Sequence, residues 1–144
     1  MGKTVIDTNV YVDWLNEGLH ADVIFEQGTI RYLSAVVLME LSAGARKLSD
    51  RRLLRSLFSA FRRAGRVLAP TIAVFEEAGW VLGAMRSRLG YDVRGSVSLS
   101  HDVLIALSAR SIGATVVTQN GTDFEAIRSV HPFSLVVLSS SRDV

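Results

Sequence analysis

Four carboxylates stand where a carboxylate needs a reason. Asp7 follows the apolar pair Val5-Ile6 in "KTVIDTNVYVDWL", at the end of what reads as a strand. Glu40 follows Val36-Val37-Leu38-Met39 and shares a helical face with Val37, Leu41 and Gly44. Asp102, in "SLSHDVLIALSARSIGA", heads an apolar face made by Ile105, Ala106 and Ala109. Asp123 comes after Thr118, Asn120 and Thr122 in "TQNGTDF". Each has an ordinary structural reading. Asp7 and Asp123 suit the caps of strand-to-helix turns. Glu40 can reach solvent from a helix edge. Asp102 suits the first turn of a helix capped by Ser100, where it complements the helix dipole.

Taken together the four say more. Carboxylates gathered at one edge of a sheet repel one another, and their pKa values rise unless something neutralises them. A hard divalent cation does this. Mg²⁺ takes oxygen ligands, keeps several waters and often binds only one or two carboxylates directly. Such a site suits phosphodiester hydrolysis. One ion lowers the pKa of a bound water, and a second, ~3.5–4 Å away, stabilises the leaving oxygen. No histidine base is then required.

The elements that must position these acids alternate along the chain. Strands are expected at 3–6, 30–33, in "RVLAP" up to Pro70, in "ATVVTQN" and in "FSLVVL". Helices are expected at 9–16, 20–27, 35–48 with Ser34 as N-cap, 50–64, 71–89, 101–112 and 123–128. The helix at 50–64 shows an i, i+3, i+4, i+7 stripe of Leu54, Leu57, Phe58 and Phe61, with Arg51, Arg55 and Arg62 off it. The helix at 71–89 turns Val74, Ala78, Val81, Leu82, Met85 and Leu89 to one face, and Gly90 and Gly95 flank the loop after it. Alternation of this kind predicts an α/β fold: a three-layer α/β/α sandwich around a central, mostly parallel sheet. Open sheets of that type place their sites at the carboxyl ends of the strands, where Asp7 and "TQNGTDF" fall.

With 144 residues the chain is expected to form one domain over 1–144, long enough to bury a core. Nearly half of it is apolar (49%) and a fifth charged (21%), the balance of a soluble protein. No apolar run approaches the ~20 residues of a membrane span, and the start lacks a signal-peptide pattern. The absence of cysteine excludes disulfides and thiolate metal sites. A cytoplasmic location, without a membrane partner, is the expectation. Of the sixteen basic residues only Lys3 and Lys47 are lysine, and six arginines fall between Arg51 and Arg66. Arginine's planar fork suits phosphate, although compositional bias also favours it over lysine. There is no P-loop, no G-x-G-x-x-G and no H-E-x-x-H. His20, His101 and His131 are read as surface residues, and Asp13, Glu76, Glu77 and Asp92 as solvated charges.

The order of "VIDTN", "VVLMELSAG", "SHDVLIALSARSIGATVVTQNGTDF" and a closing strand resembles the PIN domain, and more narrowly the VapC-type toxins of bacterial type II toxin–antitoxin systems. The resemblance runs over nearly the whole chain. It implies a PIN-like fold and a Mg²⁺- or Mn²⁺-dependent endoribonuclease. The family's acids match Asp7, Glu40, Asp102 and Asp123, with Asp7 and Asp102 at the most direct metal-ligand positions. Thr8, Asn9, Thr118 and Asn120 match its supporting polar positions. The implied partners are RNA, a cognate antitoxin protein and a second copy of the chain as a homodimer. The alternative is a non-catalytic PIN-like RNA- or protein-binding module, against which the complete set of acids weighs. Two further expectations concern partners. The helices at 35–48 and 50–64 are apolar enough to leave a groove for an antitoxin segment, with Leu57 and Phe58 as its contacts. Tyr11, Trp14, Tyr91 and Arg94 serve either RNA contact or packing.

Overall fold

β-Branched and aliphatic residues dominate the short strands, and longer amphipathic or wholly apolar stretches form the helices between them. The computed structural model describes residues 2–139. In chain order the elements are β1 (Lys3–Ile6), α1 (Thr8–Glu17), α2 (Ala21–Ile24), β2 (Ile30–Ser34), α3 (Ala35–Gly44), α4 (Leu48–Arg63), β3 (Val67–Leu68), α5 (Ile72–Leu89), α6 (Val97–Ser111), β4 (Thr115–Thr118), α7 (Gly121–Val130) and β5 (Leu135–Val137). They make a three-layer α/β/α sandwich. No helix among the described residues is long and apolar enough to cross a membrane.

The sheet order is β3-β2-β1-β4-β5, and every pairing is parallel. The chain therefore winds outward from β1 through β2 to β3. It then crosses back to lay β4 on the other side of β1. The strand order reverses between β1 and β4, which is where open α/β sheets form their binding crevice. Val5 pairs with Val116 and Ile6 with Val117, and the Asp7 N–H continues the ladder to the Val117 carbonyl at 2.8 Å. Asp7 is thus the last residue tied to the sheet before α1 begins.

The core is built around β1 and α6. Val5, Leu33 and Val116 in the strands, and Val103, Ile105, Ala106 and Ala109 in α6, are fully buried. Helix α6 lies against β1, β2 and β4, and α3, α5 and α7 pack on it in turn. It is covered nearly all round, so Asp102 is buried along with its apolar neighbours. Gly113, at φ 69°, ends α6 and returns the chain to β4. Only glycine takes that left-handed conformation without steric cost.

Several boundaries differ from expectation. Helix α2 is a single turn, and α3 stops at Gly44 rather than reaching 48. Helix α7 runs from Gly121 to Val130, longer at both ends than 123–128. The difference that matters is at α6, which begins at Val97, four residues early. Its N-cap is Ser96, whose Oγ accepts from the Leu99 N–H at 3.0 Å. Ser100 lies inside the first turn, with its hydroxyl donating back to the Ser96 carbonyl. Asp102 is consequently in the second turn, where neither capping nor the helix dipole accounts for a carboxylate. The cap assignment has a direct check. Ser96→Ala should lower unfolding free energy by about 1 kcal/mol in denaturant titration, and Ser100→Ala should cost a few tenths at most. A larger loss at Ser100 than at Ser96 would contradict the helix start seen here.

Candidate active site

At the carboxyl ends of β1 and β4 the turn residues supply side chains in a fixed order. Asp7 is the N-cap of α1, and its Oδ1 accepts from the Thr8 N–H at 2.8 Å. Its Oδ2 accepts from the Thr118 hydroxyl, at the end of β4, at 2.7 Å. The Thr118 oxygen in turn accepts from the Asn120 N–H at 2.9 Å and from Asn9 Nδ2 at 3.5 Å. Asn9 Oδ1 accepts from the Gln119 N–H, so α1 and the turn after β4 are tied together. The ordinary reading of Asp7 as a helix cap is therefore correct as far as it goes. It uses one oxygen, and the other belongs to the crevice.

Asn120 is the hub on the far side. It caps α7 by accepting from the Asp123 N–H, while its Nδ2 donates to Asp102 Oδ2 at 3.3 Å and to Asp123 Oδ2 at 3.1 Å. Gly121 follows it in close contact with β5: a Cβ there would lie 3.2 Å from Val137 Cγ1. On α3, Glu40 receives the Thr8 hydroxyl at 2.7 Å, and its second oxygen lies 3.3 Å from His101 Nδ1. Thr8, Thr118 and Asn120 thus each bond a carboxylate, and Asn9 braces Thr118.

Asp7, Glu40 and Asp102 line one cleft of ≈ 330 Å³, with Thr8, Asn9 and Asn120 in its walls. Asp123 is held at its edge through Asn120 and does not line it. Asp13 and Ser98 do line it. Asp13, read from the sequence as a solvated charge, accepts from Gln119 Nε2 at 2.8 Å. His101, read as a surface residue, is bound to Glu40. Ser98 and His101 could have been found from sequence had α6 been started at Val97, because 98, 101, 102 and 105 then share one helical face. Of the aromatic candidates, Tyr11 is fully buried and Trp14 packs edge-on against Phe25, so both serve the fold. Tyr91 stands near Asp123; burial first, and then the Asp123 charge, raise its phenol pKa.

The electrostatics of the cleft are those of crowded, buried acids. Burial raises the Asp7 pKa to about 6, offset in part by the bonds from Thr118 and Thr8 and reinforced by the Glu40 charge. The Asp102 pKa is raised to about 8, first by burial and then by the charges of Asp7, Asp123 and Glu40, against a lowering by the bond from Asn120. No cation of the protein pairs with either carboxylate among the described residues. No three acidic or histidine side chains among those residues converge as a ready-made ligand set. Two buried, mutually repelling carboxylates beside further polar oxygens nevertheless fit a hard divalent cation of the Mg²⁺ kind, which completes its shell with water.

A family model described as the PIN domain matches residues 4–130. No curated protein matches the chain. Solved structures of the same fold include DNA-bound VapBC from Salmonella typhimurium, at 28% identity and TM-score 0.68 over 95% of this chain and 98% of that one. VapBC2 from Rickettsia felis, bound to a DNA fragment from the promoter, matches at 19% identity and TM-score 0.68 over 95% and 99%. VapBC-5 from Mycobacterium tuberculosis, described as a member of the VapBC family of toxin–antitoxin systems, matches at 22% identity and TM-score 0.62 over 96% and 100%.

The raised pKa values make a stability prediction. A carboxyl whose folded pKa exceeds its unfolded value binds more protons in the folded state, so its contribution is full below about pH 4 and is lost as pH rises through the folded value. In chelator, the melting temperature should therefore fall between pH 5 and pH 8 through Asp7 and Asp102. Asp102→Asn should flatten that slope and melt higher than the parent at pH 8, by an amount on the order of 1 kcal/mol or more. Asp7→Asn should gain less. Asp7 accepts two bonds on two oxygens, and an amide can accept only on one. Equal pH slopes for parent and Asp102→Asn, read by calorimetry in chelator, would mean that Asp102 is not held above the ordinary carboxylate range.

Proposed function

We propose, from the premise that the chain belongs to the PIN domain family, that it is a Mg²⁺-dependent endoribonuclease, with Mn²⁺ able to substitute, acting in the cytoplasm as the toxin of a toxin–antitoxin pair. The observation that carries this reading is the pair Asp7 and Asp102, buried at the point where strand order reverses and without a cationic partner among the described residues. A divalent ion held by these two would offset the scissile phosphate's charge and lower the pKa of a bound water. Asp7 is fixed for this by Thr8 N–H and Thr118, and Asp102 by Asn120. Glu40, oriented by Thr8 and His101, would take a proton from the attacking water. Asp123, outside the cleft lining and held by Asn120, acts as an outer carboxylate that orients solvent. Phosphodiester hydrolysis balances in this scheme: water supplies the hydroxyl to phosphorus, and the leaving sugar oxygen receives a proton.

The toxin half of the reading is supported by the likeness to the Salmonella typhimurium VapBC complex. The antitoxin needs a surface, and the structure redraws the expected groove. Phe58 is buried and lies between α3 and α4, whereas Leu57 faces the other way. With Ile24, Phe25 and Phe61 it lines a separate, largely apolar groove between α2 and α4, in which Phe25 is half exposed. That groove suits the apolar anchors of a helical antitoxin segment. The homodimer is supported by the outer face of α5, where Ile72, Phe75 and Trp80 are uncovered beside Gly79 and Gly83.

Two outcomes test this. Asp102→Asn should lower Mg²⁺-dependent RNA cleavage by about a hundredfold or more, Glu40→Gln should be comparably severe, and Asp123→Asn milder. Cleavage by Asp102→Asn at the parent rate, followed on labelled RNA, would sink the assignment. For the partner, Phe25→Ala and Leu57→Ala should weaken antitoxin binding by roughly tenfold or more with little change in melting. Phe58→Ala should instead cost about 3–5 kcal/mol of fold stability. Unchanged binding by the Phe25 and Leu57 variants in calorimetric titration would place the antitoxin elsewhere.

A further inference from the structure

Helix α4 carries five arginines, at 51, 52, 55, 62 and 63, with Arg66 just after it. Among the described residues none of the six is ion-paired, and the helix holds a single acid, Asp50, in its first turn. Arg51 and Arg55 are one turn apart, so like charges face each other along the helix, an arrangement that costs stability when nothing covers it. Asp50 is accounted for by the helix dipole.

Arg51, Arg55 and Arg62 rim the groove between α3 and α4, which has a volume of ≈ 570 Å³. Its floor is Leu54 and Phe58, only 2% and 6% exposed, so an apolar anchor would bury little that is not already covered. What the groove offers is charge. Arg51 donates through Nε to the Ala45 carbonyl at the end of α3, which fixes it at the groove's mouth. Arg55 and Arg62 make no hydrogen bond among the described residues and stand about 10.5 Å apart along the helix axis. The groove lies next to the acidic cleft. Ala45 is shared between it and a trough of ≈ 210 Å³ between α1, α3 and the start of α4, and that trough, which Asp50 also lines, shares Val12 and Glu40 with the cleft.

We infer that this groove seats the phosphate backbone of the RNA strand leading away from the scissile bond, with Arg55 and Arg62 pairing with its phosphates and Arg51 at its mouth. The inference rests on the ribonuclease reading above. A single strand suits the geometry because its phosphates can follow the groove past Ala45 to the carboxylates, and guanidinium forks pair with phosphate oxygens.

The test uses the Asp102→Asn protein, so that binding is read without cleavage, and a labelled twenty-nucleotide oligouridylate as probe over a range of salt. Arg55→Gln/Arg62→Gln should weaken binding about tenfold or more. It should lower the slope of log affinity against log salt by roughly 1.4, about 0.7 for each phosphate of a single strand that is no longer neutralised. Arg86→Gln/Arg88→Gln, which removes the same charge from α5, should change neither. Melting of the Arg55/Arg62 variant should be equal to or above that of its parent, since repulsion is relieved. Equal behaviour of the two double variants overturns the inference. So does a loss of polyglutamate binding with RNA binding intact, which would make the groove a seat for an acidic protein segment. If the Asp102-intact protein cleaves RNA while the double variants are alike, only the groove assignment fails. If it neither binds nor cleaves RNA, the ribonuclease reading fails and the groove assignment with it.

Discussion

Two carboxylates buried side by side set the terms for the rest of the molecule. Asp7 and Asp102 are each almost wholly removed from water, and neither has a cationic partner among the described residues. Such a pair is tolerated only where the surrounding structure determines it. Here the determination comes from topology. The crossing from β3 back to β4 opens a crevice beside β1, and α6 is packed all round so that its second turn is forced against that crevice. The hydrogen bonds from Thr118, Thr8 and Asn120 keep the acids aimed but do not neutralise them. The folded chain thus stores repulsion that a divalent cation would relieve.

The fold was legible because hydrophobic pattern decides it. The strand at 3–6, the helix after Asp7, the cap at Ser34 and the amphipathic stripe of α4 all follow from spacing alone, and the alternation of elements implies the parallel sheet. Asp7, Glu40 and Asp102, which line the cleft, stand out in the sequence for a similar reason, as charges beside apolar runs, whereas Asp123 stands in a polar turn and does not line it. What was not legible depends on partners distant in sequence. His101 becomes part of the site only when α3 brings Glu40 beside it, sixty-one residues away, and Asp13 only when Gln119 arrives from the end of β4. Leu57 and Phe58 are neighbours on one apolar stripe, yet they face different grooves. A helix 16 residues long packs against more than one element, and period alone does not say which.

The start of α6 shows how a small local error conceals chemistry. Ser96 and Ser100 are both acceptable caps, and the choice between them depends on where the loop after Gly90 delivers the chain. Starting at Ser100 turns Asp102 into a first-turn acid with an ordinary electrostatic purpose. Starting at Ser96 removes that purpose and leaves an unexplained charge in a buried helix. The structural explanation for Asp102 disappears once the true cap is identified, and its relation to Asp7 takes that place.

The charge distribution carries the same logic across the molecule. The net charge is only +2, but Asp7, Asp13, Glu40 and Asp102 share the cleft, and along α4 lie arginines that have no ion-pair partner among the described residues. Mixed evenly, these groups would have formed surface ion pairs of little energetic weight. Kept apart, they leave the cleft negative and the groove between α3 and α4 positive, with Glu40 and Asp50 on the trough between them. A bound divalent ion would reverse the sign at the negative end. The cleft and the groove would then both attract a polyanion, and the metal-free cleft would repel one. In that arrangement the cation would govern substrate binding as well as chemistry, because it would change whether the phosphate nearest the carboxylates can approach them at all.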